Sequence, residues 1–202
     1  MDARSPGSIS TEASGWRPER CDRVALVLQG GGALGAYQAG VYEALHEANL
    51  EPDWVCGVSI GAINSAIIAG NPPEHRLERL RSFWDRITDR KVWHYTPDGD
   101  VYRKARNLTS SMMTTALGQP GFFKPHQLNP WFSPAGAKAA TSYYDSAPLR
   151  ETLLELVDFD RINGGDVRLT VSAVDVETGN FVDFDSRHQR IGPEHIMASG
   201  AL

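Results

Sequence analysis

Arg23-Val24-Ala25-Leu26-Val27-Leu28-Gln29-Gly30-Gly31-Gly32-Ala33-Leu34-Gly35 is the stretch whose reading decides the fold. Its first half is almost continuously apolar and rich in valine and leucine, the composition of a strand buried on both faces of a parallel sheet. A glycine cluster ends it at once. Beyond Gly35, Tyr37, Val41, Ala44, Leu45 and Ala48 recur at helical spacing, and Asn49 offers a stop before Glu51-Pro52. The unit is strand, glycine loop, helix. A second short strand, Asp53 to Cys56, leads into Gly57-Val58-Ser59-Ile60-Gly61, and Ala62 to Ala69 then reads as a small-residue helix closed by Gly70-Asn71-Pro72-Pro73. The repeated strand, tight turn and helix predict an α/β domain with a mainly parallel sheet.

Further along, residues 74–88 place Leu77, Leu80, Trp84 and Ile87 on one stripe, as an amphipathic covering helix does. Residues 91–144 interleave Pro, Gly, Ser and Asn with Trp93, Tyr95, Met112, Met113, Phe122, Phe123, Trp131 and Phe132. These side chains are expected to fill a satellite core, with an acyl-binding groove or a lipid-dipping surface as the rival reading. Ser146 is expected to cap a helix that runs from Pro148 through Val157. Strands are expected at Val167–Val174 and Phe181–Phe184, joined by a turn at Glu177-Thr178-Gly179-Asn180.

A chain of 202 residues with 41% hydrophobic and 22% charged residues is long and apolar enough to bury one core, which excludes a disordered or collagen-like chain. Lys and Arg number 20 against 25 Asp and Glu, so the net charge of −5 gives no basic field for nucleic acid, and no nucleic-acid partner is expected. Cys21 and Cys56 are too few for a disulfide framework, which makes a reducing, cytoplasmic setting the default. Residues 1–20 contain no apolar run and read as a flexible arm without a signal peptide, ahead of a domain at 21–202. Mean hydropathy is −0.34, and the longest apolar-rich stretch, Ala62 to Gly70, falls well short of the roughly 20 residues that cross a bilayer.

Two motifs carry chemistry. Gly30-Gly31-Gly32-Ala33-Leu34-Gly35 has GxGxxG spacing after a strand and before a helix, where backbone N–H groups and the helix dipole converge on one anionic point. A dinucleotide site is one reading, with Asp53 near the spacing of a ribose-binding acid. That acid should close the second strand, whereas Asp53 opens it. Gly57-x-Ser59-x-Gly61 between strand and helix is the nucleophile-elbow pattern, in which a sharp turn lifts the serine hydroxyl clear of the backbone and the flanking glycines let strand and helix approach. An isolated GxSxG is often only a tight turn with a capping serine. Here the preceding glycine loop supplies a matching part, since its amides can form an oxyanion hole. Acyl transfer at Ser59 follows as the leading reading, with Gly30, Gly31 and Gly32 as the oxyanion hole and Gly57 and Gly61 as the elbow glycines.

Leu28-Gln29-Gly30-Gly31-Gly32-Ala33-Leu34-Gly35, Gly57-Val58-Ser59-Ile60-Gly61-Ala62-Ile63-Asn64 and Ala198-Ser199-Gly200-Ala201-Leu202 together strongly resemble the patatin-like phospholipases. The resemblance covers about Val24 to Leu202 and is loose across 91–144. It implies a three-layer α/β/α sandwich, a Ser59 nucleophile of a Ser-Asp dyad, lipid acyl esters as substrates, peripheral membrane contact and no cofactor. The dyad aspartate of that family sits in Asp-Gly-Gly or Asp-Gly-Ala after the alanine-serine block, and neither tripeptide occurs here. The sequence is therefore expected to be a piece of a longer protein, with the base beyond Leu202. Asp98-Gly99-Asp100, Asp175, Asp183 and Asp185 read as turn or surface acids. Of the six histidines, His46, His75, His94, His126, His188 and His195, the first two read as ordinary helix-surface residues and His195 as the one nearest the site, in a structural role. Cys56 reads as core, and no His or Cys pair has zinc-like spacing. The remaining alternatives are a nucleotide-binding domain and a lipid-binding module in which Ser59 is idle.

Overall fold

A computed structural model of the chain describes residues 21–88, 99–100, 102, 114, 117–126, 142 and 144–201. Strand β1 (Ala25–Leu28) passes through a 3-10 turn at Gly32–Leu34 into helix α1 (Gly35–Glu47), and β2 (Trp54–Val58) passes through Ser59 into α2 (Ile60–Ala69). Helix α3 (Pro73–Thr88) follows, then the short strands β3 (Lys124–Pro125) and β4 (Tyr144–Asp145). Helices α4 (Ala147–Leu156) and α5 (Phe159–Gly164), strands β5 (Arg168–Val174) and β6 (Phe181–Asp185), and helix α6 (Pro193–Ser199) complete the described elements. The main sheet has the order β1-β2-β5-β6; β1, β2 and β5 run parallel and β6 closes an antiparallel hairpin on β5. Antiparallel β3 and β4 form a separate pair.

The core lies on one face of the sheet. Leu28, Val55, Leu169 and Val171 point into it, and every residue of α2 is buried against them. Such burial explains the composition of α2, because only small and aliphatic side chains let a helix sit between a sheet and two further helices, α1 and α3. The α/β class and the mainly parallel sheet stand as expected. On the opposite face Ala25, Val58 and Val174 are exposed and Val27 is 73% exposed, so β1 is half-buried rather than buried on both faces. Val58 and Val174 belong to the inner strands, so the exposure is a property of that whole face of the described sheet and not of the edge position of β1.

Helix α3 buries Leu80, Phe83, Trp84 and Ile87, with Leu77 partly buried, and adds one residue that the apolar pattern passes over: Arg76, 2% exposed. Ser146 precedes α4 but makes no capping bond; the Asp145 carboxylate accepts the Ala147 N–H at 2.9 Å instead. In the β5-β6 turn, the Asp175 carboxylate accepts the N–H groups of Glu177 and Thr178, and Gly179 takes φ 71°. Phe122 packs against the core, and Phe123 meets Tyr144 edge-on at 4.6 Å. Trp93, Tyr95, Met112, Met113, Trp131, Phe132 and the arm at 1–20 lie outside the described residues. Among the described residues no helix is long and apolar enough to cross a membrane.

Candidate active site

Ser59 occupies the bend between β2 and α2 with φ 56° and ψ −122°, a conformation that costs a non-glycine residue about 1–3 kcal/mol and persists only when its surroundings enforce it. Three close approaches do so. A Cβ on Gly57 would stand 2.6 Å from the Ala62 nitrogen, and a Cβ on Gly61 would stand 2.6 Å from the Leu28 carbonyl carbon. A Cβ on Gly35 would strike Ile60 Cγ1 at 2.5 Å, so α1 also begins in contact with the first residue of α2. The two strand-to-helix bends are thereby pressed together at the carboxyl ends of β1 and β2.

The glycine loop meets Ser59 directly: the Cβ position of Gly30 lies 3.4 Å from Ser59 Cβ. Gly31 and Gly32 have φ of 147° and 56°, values that glycine adopts without strain and that free the loop to turn its amides. Gln38 Nε2 donates to the Gln29 carbonyl at 2.7 Å and fixes the loop's entry. Asn64, one turn into α2, fixes its exit by donating to the Gly35 carbonyl at 3.0 Å and to Gln38 Oε1 at 2.9 Å, while its own oxygen accepts the Trp84 Nε1 proton. The half-buried Ser59 therefore has a rigid amide-rich loop on one side and the N-terminus of α2 behind it, an arrangement that favours negative charge at its oxygen.

A further contact comes from far along the chain. The Ser59 N–H donates to Ser199 Oγ at 2.8 Å, and that hydroxyl donates onward to the Ser172 carbonyl at 2.6 Å. Neither Ser199 nor Asn64 has a role in the motif reading. The signals available were the Ala198-Ser199-Gly200 block, left without a function, and the polar Asn64 in an otherwise apolar helix.

The other expected residues fall as follows. Asp53 accepts the Val24 N–H at 2.8 Å from the amino end of β2, the end opposite the glycine loop, where it cannot serve a ligand held at Gly30. Asp185 is a correction: it is 7% exposed, not a surface acid, and its carboxylate pairs with Arg168 at 2.5 Å and accepts from Thr170 Oγ1 at 3.0 Å. Burial alone would raise its pKa, but the Arg168 guanidinium, the Arg187 N–H and the Thr170 hydroxyl outweigh that and push it down to about 2. Asp183 is exposed and accepts from Ser172 Oγ at 2.5 Å. Asp98 lies outside the described residues, and Asp100 is exposed.

His46 is also corrected, since Nδ1 pairs with Glu51 at 2.5 Å within a network that joins Tyr42 and Arg76. His75 is the expected surface residue, 3.5 Å from Glu78. His195 Nδ1 accepts the Gly192 N–H at 3.0 Å and its ring packs edge-on to Phe184 at 4.7 Å, a structural placement. His126 and Ser142 pair at 3.3 Å, His188 is exposed, and His94 lies outside the described residues. Cys56 is half-buried beside Thr170, and burial raises its thiol pKa. Among the described residues no carboxylate or imidazole hydrogen-bonds the Ser59 hydroxyl, and no group of three His, Cys, Asp or Glu side chains is placed to hold a metal ion.

With that geometry in place, comparison with known proteins is decisive for ancestry: the sequence profile described as patatin-like phospholipase matches residues 26–202. The chain belongs to that family. Lysophospholipase nte1 of Aspergillus terreus is 54% identical over 109 residues, 52% of this chain and 6% of that protein. Triacylglycerol lipase ptl3 of Schizosaccharomyces pombe is 42% identical over 59 residues, 29% of this chain and 12% of that protein. The chain thus spans a small part of the patatin-like relatives it matches. VipD from Legionella pneumophila is similar over 90% of this chain and 42% of its own, at 17% identity and a TM-score of 0.45.

Proposed function

We propose that this patatin-like domain hydrolyses acyl esters of lipids through an acyl-enzyme on Ser59. The observation that carries the reading is the 3.4 Å separation between the Gly30 Cβ position and Ser59 Cβ, which supports a hydroxyl and an amide loop acting on one carbonyl. Ser59 Oγ attacks the ester carbon and gives its proton to a general base. The carbonyl oxygen becomes an oxyanion held by the Gly30, Gly31 and Gly32 loop, where a single donor contributes about 3 kcal/mol to the transition state. Collapse expels the alcohol portion of the lipid, and water then releases the acyl group as a carboxylate. The elbow glycines Gly57 and Gly61 act by letting strand and helix touch, which keeps Ser59 in its strained, outward conformation.

The substrate is a membrane lipid reached by peripheral contact from the cytoplasm, with no nucleic-acid partner. A fluorophosphonate probe tests the chemistry in the full-length protein. Labelling should map to Ser59 and vanish in Ser59→Ala, along with ester hydrolysis. A folded protein whose Ser59 stays unlabelled, and whose liposome binding survives Ser59→Ala without turnover, would instead be a lipid-binding module.

A further inference from the structure

We infer that Ser199 is a positioning residue for the nucleophile: its hydroxyl holds the Ser59 amide to Ser172 of β5 and so sets the reactive backbone conformation of the elbow. This rests on Ser59 being the nucleophile, and it gives a role to the Ala198-Ser199-Gly200 block. Val58 and Ser172 are the last pair between β2 and β5, and beyond them β2 turns away into the elbow. Departure of the chain would leave the Ser59 N–H and the Ser172 carbonyl without each other or any strand partner. Ser199 Oγ stands between them, accepting from the first at 2.8 Å and donating to the second at 2.6 Å. A hydroxyl has one proton to give, so the direction of this relay is fixed by the carbonyl, which can only accept.

Two consequences follow. The Ser59 N–H is committed to Ser199 and is not an oxyanion donor, which leaves that task to the glycine loop. The strained φ of 56° at Ser59 is held by this amide bond in addition to the Gly57 and Gly61 contacts, so loss of the hydroxyl releases the backbone of the attacking residue without touching its side chain. Small misplacement of an attacking atom costs on the order of 10²-fold in rate.

The test compares wild type, Ser199→Ala, Ser199→Thr and Ser59→Ala in the full-length protein. The readouts are fluorophosphonate labelling rate, kcat and KM on a soluble short-chain ester, thermal midpoint and amide hydrogen exchange at residue 59. Ser199→Ala should speed exchange of the Ser59 amide and lower both kcat and labelling rate by roughly 10- to 100-fold with KM nearly unchanged. Ser199→Thr, which keeps the hydroxyl, should restore most of the rate. Labelling of Ser199→Ala within about twofold of wild type, in a folded protein, would overturn the positioning role alone. A rate loss in Ser199→Ala that Ser199→Thr fails to rescue, matched by a fall in thermal midpoint, would overturn it in favour of plain packing. A folded wild type that never labels would overturn Ser59 as nucleophile and the role of Ser199 with it.

Discussion

Gly57 and Gly61 face each other across the Ser59 bend so closely that a Cβ on Gly57 would overlap the Gly61 carbonyl oxygen. The obstacle is backbone on both sides, and neither partner can swing aside as a flexible side chain would. Gly57→Ala and Gly61→Ala should each destabilise the fold by about 3 kcal/mol or more and abolish ester hydrolysis, because strand and helix must separate. Gly40, inside α1 with nothing near its Cβ position, is the internal control: Gly40→Ala should stabilise by about 0.5–1 kcal/mol. Urea unfolding of the three variants reads both signs, and a neutral Gly57→Ala would show that the elbow is looser than described.

Asn64 saturates its amide between α1, α2 and α3, so its removal strands partners on two other helices. Asn64→Ala leaves the Gly35 carbonyl and the Trp84 Nε1–H short of a partner and should cost about 2 kcal/mol. Because Gly35 closes the glycine loop, kcat should fall as well, whereas Trp84→Phe, which removes the Asn64–Trp84 bond and part of the ring packed on Gly35 but keeps the Asn64–Gly35 bond, should lower stability with a smaller effect on rate. Equal rate losses in the two variants would separate Asn64 from the loop.

The elbow and the glycine loop were legible in the sequence because each depends on local backbone geometry that demands glycine at set offsets from one serine. Elements joined by distance were not. Ser199 meets Ser59 across 140 positions, and no spacing rule reaches that far. Asp185 looked like a hairpin acid because its partner Arg168 lies on the neighbouring strand, and Arg76 looked like one more charge on the outer face of α3 although its spacing to Leu80, Phe83 and Ile87 puts it inside. Val27 misled in the opposite sense. An apolar run reads the same whether one face of its strand is covered or both.

Asp185 makes acid stability predictable. Its folded pKa of about 2 lies below the unfolded value of 3.8, so the carboxylate contributes stability that is complete above about pH 4 and is lost as pH falls toward 2. The Glu51 carboxyl is shifted the same way: burial opposes ionisation but is outweighed by the Tyr42 and His46 hydrogen bonds and the Arg76 charge. Asp185→Asn should therefore remove about 1–2 kcal/mol at pH 7 and flatten the stability profile between pH 4 and 2. Urea midpoints measured across that window provide the check, and an unchanged slope would place the acid-labile group elsewhere.

Glu51 gathers three partners at once: the Tyr42 hydroxyl at 2.7 Å, His46 Nδ1 at 2.5 Å and Arg76 Nη1 at 2.5 Å. Arg76 also donates Nε to the Asn71 carbonyl at 2.9 Å, so the one guanidinium joins the turn between α2 and α3 to Glu51, in the segment that follows α1. Arg76→Met should cost about 3 kcal/mol, since it leaves a half-buried carboxylate without its cation. Glu51→Gln keeps the shape and should cost less, because the amide oxygen still accepts from Tyr42. Once Glu51 is neutral the buried guanidinium has lost its counter-charge, so adding Arg76→Met then removes a penalty as well as a bond. The double variant should be more stable than the sum of the single effects predicts, by 1 kcal/mol or more, and strictly additive losses in a double-mutant cycle would mean that the pair contributes packing alone.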